Sequence, residues 1–194
     1  MLNQLVIASS NHGKVGEFKT YLNDLPVEII TLEGKNIEAP IEDGESFSEN
    51  ALIKANYYNQ ILNLPVLSDD SGLCIEALGG KPSINTAYYA EKPDRYAKIF
   101  KNMQNSQIRT RDAEFICVLC FLKNNDIPLF FEGRCKGTIS DEPRGNLGFG
   151  FDAIFIPNGS IKTFGEMTKE EKLSYSSRGQ ALNHFKDYIS RNEF

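Results

Sequence analysis

Histidine is almost missing from this chain: His12 and His184 are the two it has in 194 residues. That leaves little material for a Ser-His-Asp nucleophile or a histidine-rich metal centre. Long apolar runs are missing too. The longest covers residues 115–122 (FICVLCFL), far short of the ~20 residues that cross a bilayer as a helix and well suited to a buried strand. The early apolar stretch 5–8 is too short for a secretory signal and follows no basic segment, so the chain is expected in the cytoplasm, away from membranes. Positive charge is not in excess, since 21 Lys and Arg face 26 Asp and Glu for a net charge of -5. A general binder of nucleic-acid backbone is therefore disfavoured. A small anionic ligand remains open, because a few cations and one metal ion suffice to hold it. Paired cysteine spacing is absent except at Cys117 and Cys120. On a strand, residues three apart face opposite sides, so this pair cannot clamp one zinc ion. Cys74, Cys117, Cys120 and Cys135 are expected as reduced core thiols.

What is present is ordinary for a globular protein: 41% hydrophobic and 24% charged residues. A chain of this length buries ~70% of its unfolded surface, and residues 1–194 read as a single two-lobed domain. A strand over 2–8 leads into a polar turn and a helix whose stripe is Val15, Phe18, Leu22 and Leu25. A strand over 27–32 and an acidic loop over 33–45 follow. Ser46 and Glu49 form a capping box that opens a second helix to about residue 62, with Phe47, Ala51, Ala55, Tyr58 and Leu62 on its buried face. Short strands over 66–68 and 73–78 flank a turn at Asp69, Asp70, Ser71 and Gly72. A helix over 95–103 precedes strands near 113–123 and 128–136, which read as a hairpin across Asn124, Asn125 and Asp126. A glycine-rich loop over 145–150, a strand over 153–156 and two closing helices from Thr168 and Ser177, each with a capping box, complete the chain. Strands and helices mix without strict alternation. The expected fold is α/β (α+β) with a mixed sheet flanked by helices.

Several groups of residues could carry chemistry. The turn Ser9, Ser10, Asn11, His12, Gly13 ends in Lys14 at a helix N-terminus, where backbone amides and the helix dipole favour an anion. It is not a P-loop, because Ala8 and Val15 stand where glycine and Ser or Thr would be needed. Glu42, Glu45, Glu49, Asp69 and Asp70 gather carboxylates on neighbouring segments, enough for a hard divalent cation that shares phosphate ligands. Of the adjacent aspartates one points into such a site, while the other caps or orients the chain. Lys54 lies four residues after Asn50 and could meet the same anion, although a surface helical lysine would also fit. Gly148, Phe149, Gly150, Phe151 and Asp152 combine close backbone approach, an aromatic face and a carboxylate, as a flat ligand would require. A glycine-rich hairpin with aromatic packing has the same pattern. Lys172 and Arg178 lie where the closing helices meet.

Taken in order, these segments resemble the inosine triphosphate pyrophosphatase family, also known as the Ham1 family. The matching stretches are ASSNHGK at 8–14 with Glu17, SFSENALIKA at 46–55, SDDSGL at 68–73 with ALGG at 77–80, GFGFD at 148–152, and TFGEM at 163–167 through Lys172 to Ser176, Ser177 and Arg178. They span nearly the whole chain. The resemblance implies hydrolysis of a nucleoside triphosphate to its monophosphate and pyrophosphate, with Mg2+ and as a homodimer. It also implies a long mixed sheet between two lobes with the site in their cleft. By position, Ser9, Ser10, Asn11, His12, Gly13, Lys14 and Lys54 would hold the triphosphate. Glu42 and Asp70 would bind the metal, Asp70 would also be the base for the attacking water, and Ser71 would touch substrate. Phe149 would stack on the base within the segment that includes Gly150 and Phe151, and Asp152, Lys172, Ser177 and Arg178 would line its edge.

The chain departs from the family pattern at several places. Ser9-Ser10 replaces the usual Thr-Gly, Ser177 stands where the family has histidine, Pro82-Ser83 replaces Pro-Gly, Tyr88-Tyr89 replaces a later Arg-Tyr, and Phe151-Asp152-Ala153 replaces Tyr-Asp-Pro. Phosphate and metal residues are retained while base-facing ones have changed. The expectation is a pyrophosphatase for purines such as ITP, dITP and XTP whose preference for 6-oxopurines is weakened or redirected. The competing reading is a nucleotide sensor without turnover. A Maf-type pyrophosphatase is disfavoured by the absence of its early Ser-Pro-Arg-Arg.

Overall fold

The computed structural model describes residues 2–89, 95–124 and 126–191. Its six strands are β1 (Gln4–Ala8), β2 (Glu28–Thr31), β3 (Val66–Ile75), β4 (Asp112–Leu122), β5 (Leu129–Ile139) and β6 (Phe155–Pro157). They form one sheet in the order β2-β1-β3-β4-β5-β6. The five α-helices are α1 (His12–Tyr21), α2 (Phe47–Leu62), α3 (Arg95–Asn105), α4 (Lys169–Tyr175) and α5 (Ser177–Arg191). β1 runs parallel to β2 and to β3, whereas β6 runs antiparallel to β5. The sheet is mixed, as the sequence predicts. β4 and β5 are consecutive and adjacent, and the short connection between them leaves no room for a parallel crossover, so they form a hairpin. One residue of its turn, Asn125, lies outside the described residues. No helix among the described residues is long and apolar enough to cross a membrane.

The chain divides into two compact units. The first comprises residues 1–70, 117–132 and 178–194, the second 71–116 and 133–177. β3, β4 and β5 each contribute residues to both. In the first unit the strands are apolar on both faces because helices cover both. Leu5 and Ile7 join Phe18 and Leu22 around α1 and Ala181, Leu182 and Phe185 of α5. The alternate residues Val6 and Ala8 join Ala51, Ala55 and Tyr58 of α2. The same alternation sends Cys117 to the first cluster and Cys120 to the second. That is why this C-x-x-C forms no metal clamp; all four cysteines are free thiols. The core of the second unit gathers Leu73, Ile75, Ile99, Met103, Phe151, Phe155 and Phe164, with Phe115 edge-on to Phe155 at 4.8 Å between ring centroids.

Several local expectations are corrected. The largest concerns Asp69 to Gly72, which form no turn but lie inside the continuous strand β3. Four turn-favouring residues in a row point to a turn locally; partners elsewhere in the chain satisfy the strand instead. α1 ends at Tyr21, before Asp24, so Leu25 falls outside it. Ser46 caps α2 by accepting from Glu49 N–H, but the Glu49 carboxylate accepts from Glu45 N–H rather than closing the box on Ser46. α2 also buries two polar residues, Asn50 and Lys54, that no apolar stripe foretells. Residues 152–154 form a 3-10 turn and β6 starts only at Phe155. Thr168 and Glu171 do form a reciprocal capping box, whereas Ser177 is already the first residue of α5.

Burial pushes the thiols of Cys117, Cys120 and Cys135 up from 9.0 to about 12. The unfolded chain therefore ionises first as pH rises. The stability these thiols contribute is whole below about pH 9 and is lost between about 9 and 12, by ~1.4 kcal/mol per pH unit for each thiol. Urea unfolding across that alkaline range should show this decline, and a variant with Cys117→Ala and Cys120→Ala should show a shallower one. Equal slopes in the two proteins would contradict the assignment.

Candidate active site

The parity of β3 organises the chemistry of the first unit. Val66, Ser68 and Asp70 face α2, while Leu67 and Asp69 face α1 and α5. Ser68 Oγ donates to Ala51 O of α2 at 2.6 Å. Asp70 accepts from Asn50 Nδ2 at 3.3 Å and lies 3.8 Å from Lys54 Nζ. Lys54 Nζ also donates to Glu42 Oε2. The buried ammonium thus joins the two carboxylates that the resemblance assigns to a metal. On the other face, Asp69 Oδ2 accepts from Arg178 Nη2 at 2.8 Å and pairs with Lys14 Nζ at 2.9 Å. Arg178 Nη1 donates to Glu17 Oε2 at 2.5 Å. Glu17, Asp69 and Arg178 are all buried.

Local structure places Lys14. Asn11 is the N-cap of α1, its side chain accepting from the N–H groups of Gly13 and Lys14, and Ser9 Oγ accepts from Asn11 N–H at 3.3 Å. The turn 9–14 is therefore closed on itself by side chains at the positive end of a helix. Ser10, Asn11 and His12 are exposed, and Lys14 leans inward onto Asp69.

Charge sets the two aspartates apart. Burial pushes the Asp69 carboxyl up, but Lys14, Arg178 and Lys54 together outweigh it and hold the group well below the usual carboxylate range. Asp70 moves the other way. Burial raises it, Lys54 and Lys14 oppose the rise, and the negative charges of Asp69 and Glu42 add to it. Asp69 is thus a permanently charged anchor, and Asp70 is the more basic of the two.

The second unit holds the remaining candidates except Arg178. Asp152 is buried, and its Oδ2 accepts from Lys172 Nζ at 2.6 Å and from Phe149 N–H at 2.7 Å. Lys172 Nζ stands 4.3 Å from the centroid of the half-buried Phe149 ring, a cation–π contact. Gly148 makes this arrangement possible: its φ is +80°, and a Cβ there would collide with Asp152 Oδ2. Gly150 O accepts from Tyr96 Oη at 3.1 Å. Phe151 differs from its expected role, since its ring is core, edge-on to Tyr96 at 6.2 Å. Ser71 continues β3, half-buried, and Ser177 is buried at the start of α5.

The structure therefore brings together Lys14 with Asp69, Glu42 with Lys54 and Asp70, and Phe149 with Asp152 and Lys172. Within the first unit, Arg178 meets Glu17 and Asp69. Glu17 received no role from the sequence, although it accompanies the 8–14 stretch that carries the resemblance and stands next to Phe18 of the apolar stripe. Among the described residues no three His, Cys, Asp or Glu side chains cluster as a metal cage. Glu42 and Asp70 nevertheless fit Mg2+, which is commonly held by one or two carboxylates plus water and phosphate oxygens. Their oxygens already converge on one cation, the Lys54 ammonium.

Arg178→Met leaves Glu17 and Asp69 buried without their guanidinium, and unfolding free energy should fall by about 3–5 kcal/mol in chemical denaturation. The Asp69 carboxyl lies below its ordinary 3.8 in the folded protein, so the unfolded chain takes up that proton first. Its contribution is present above about pH 4 and is lost as pH falls further. The variant should accordingly show a flatter acid limb than the parent, and an unchanged limb would contradict this account.

Comparison with known proteins identifies the family. The Ham1 family model matches residues 5–188. The dITP/XTP pyrophosphatase of Mesorhizobium japonicum is 38% identical over 93% of this chain and 87% of its own length. That of Acinetobacter baumannii strain ACICU is 40% identical over 96% and 95%. Among solved structures, a HAM1 protein from Coxiella burnetii superposes with a TM-score of 0.88 at 35% identity, covering 98% of this chain and all of that one. The Staphylococcus aureus Ham1 protein gives 0.81 at 32% identity, over 97% and 98%. With a fold, a motif order and near full-length similarity in agreement, the chain belongs to the Ham1 family.

Proposed function

We propose that this chain is a nucleoside triphosphate pyrophosphatase that hydrolyses non-standard purine nucleotides such as ITP, dITP and XTP to the monophosphate and pyrophosphate. The relatives named dITP/XTP pyrophosphatase support the reaction class. The observation that carries the reading is the convergence of Glu42 with Lys54 of α2 and Asp70 of β3, a strand whose other face carries Asp69 paired with Lys14. In this reading Ser9 to Lys14 and Lys54 bind the triphosphate, and Ser71 touches substrate. Phe149 stacks on the base, while Asp152, Lys172, Ser177 and Arg178 line its edge.

The chemistry follows from these groups. Asp70, the more basic aspartate, accepts the proton of a water whose oxygen bonds to the α-phosphorus as the bond to the β-phosphate oxygen breaks. Lys14 and Lys54 stabilise the negative charge that develops on the departing pyrophosphate. Arg178, paired with Glu17, holds Asp69, and Asp69 fixes the direction of Lys14. Glu42 and Asp70 would hold Mg2+, which would supply charge neutralisation at the phosphates. The resemblance further implies that the enzyme works as a cytoplasmic homodimer.

Product analysis after incubation with Mg2+ and a panel of triphosphates tests the reading. Monophosphate and pyrophosphate should appear from inosine and xanthosine triphosphates and their deoxy forms. Asp70→Asn should lower turnover by about 10²–10⁴-fold. Preferential cleavage of other bases would mean that the pocket containing Ser177 has been redirected. Nucleotide binding without any cleavage would favour a sensor and overturn the enzyme reading.

A further inference from the structure

The phosphate role proposed for Lys54 conflicts with where its ammonium stands. Lys54 is buried, and its Nζ donates to Glu42 Oε2 and lies 3.8 Å from Asp70 Oδ1. Asn50, one turn earlier on α2, donates to the other oxygen of Asp70 at 3.3 Å. Two carboxylates drawn together repel each other unless a cation stands between them, and here the ammonium, buried beside Asp70, is that cation. A divalent cation requires the same oxygens. Ammonium and dication on one pair of carboxylates would lie a few ångströms apart with like charge, a strongly unfavourable arrangement at reduced dielectric. Metal entry therefore requires the ammonium to leave. A buried ammonium that has left its carboxylates needs another anion, and a phosphate group is the anion this lysine is proposed to meet.

We propose that Lys54 is an internal stand-in for the metal. It holds Glu42 and Asp70 ready in the absence of nucleotide and releases them when an incoming phosphate accepts its charge, so that metal and nucleotide bind as one coupled event. The proposal rests on the reading of Glu42 and Asp70 as metal ligands. It gives the lysine two successive anionic partners and gives the site a reason to bind little free metal. By linkage, whatever the metal gains from the nucleotide at this lysine, the nucleotide gains equally from the metal.

Mn2+ serves as the probe, with free ion counted by electron paramagnetic resonance on the full-length protein without nucleotide. Lys54→Met should bind Mn2+ at least about tenfold more tightly than the parent. Lys54→Gln, which retains a neutral donor for Glu42, should tighten binding in the same direction and serves if the methionine variant unfolds. Adding Asp70→Asn to either variant should abolish the gain. Mn2+ affinity that is unchanged or weaker in both lysine variants overturns the proposal. A separate arm tests the underlying reading: Mn2+ is bound to the parent together with a non-hydrolysable inosine triphosphate analogue. Loss of that Mn2+ in Glu42→Gln and Asp70→Asn upholds the metal-ligand reading whatever the lysine variants do. Its retention in both removes the metal-ligand reading and the lysine proposal with it.

Discussion

Two adjacent aspartates on a strand covered on both faces must point to opposite sides of the sheet, and the first unit is built around that constraint. Asp69 is delivered to α1 and α5, where Lys14 and Arg178 meet it, and Asp70 to α2, where Asn50 and Lys54 meet it. Neither aspartate could be buried alone, since an uncompensated carboxylate in a dry setting protonates or unfolds its surroundings. Each face therefore carries its own cations. The apolar neighbours Val66 and Leu67 divide between the same two faces, so one alternation governs both the core and the charges.

The charge balance explains why two identical residues can differ in role. Asp69 is the better compensated, held by a guanidinium and an ammonium, and this drives its carboxyl down. Asp70 shares its nearest ammonium with Glu42 and feels two neighbouring negative charges, which with burial drives it up. A group meant to anchor a lysine should never lose its charge, while a group meant to take a proton benefits from raised basicity. In the second unit a glycine at positive φ leaves room for Asp152 to hold both the Phe149 backbone and Lys172. That fixes the ring beneath a cation.

Much of this is legible in the amino-acid sequence. The strand-turn-helix with Lys14 in its first helical turn, the cap at Ser46, the box at Thr168 and the opposed faces of Cys117 and Cys120 all follow from periodicity and capping chemistry, and they stand. Residues 69–72 do not, because Asp, Asp, Ser and Gly favour turns locally while the strand is satisfied by partners distant in the chain, such as Arg178 at Asp69 and Thr86 at the Leu73 N–H. Asn50 and Lys54 are visible as polar residues one helical turn apart, but their burial is hidden, since helical periodicity marks apolar positions and says nothing of polar residues buried with partners. Phe151 illustrates the reverse: an aromatic inside a functional segment whose ring belongs to the core.

The amino-acid sequence by itself determined most of the elements, the opposed faces of Cys117 and Cys120, and the ordered motifs that mark the family. Those properties depend on neighbours within a few residues, where periodicity, capping and turn chemistry act. Only the tertiary structure decided the pairing of charges. Arg178 meets Glu17 across 161 residues of chain and Asp69 across 109, and Lys54 meets Glu42 across 12. Such partners are chosen by desolvation: a buried charge is tolerated only where folding brings its opposite to within hydrogen-bonding distance.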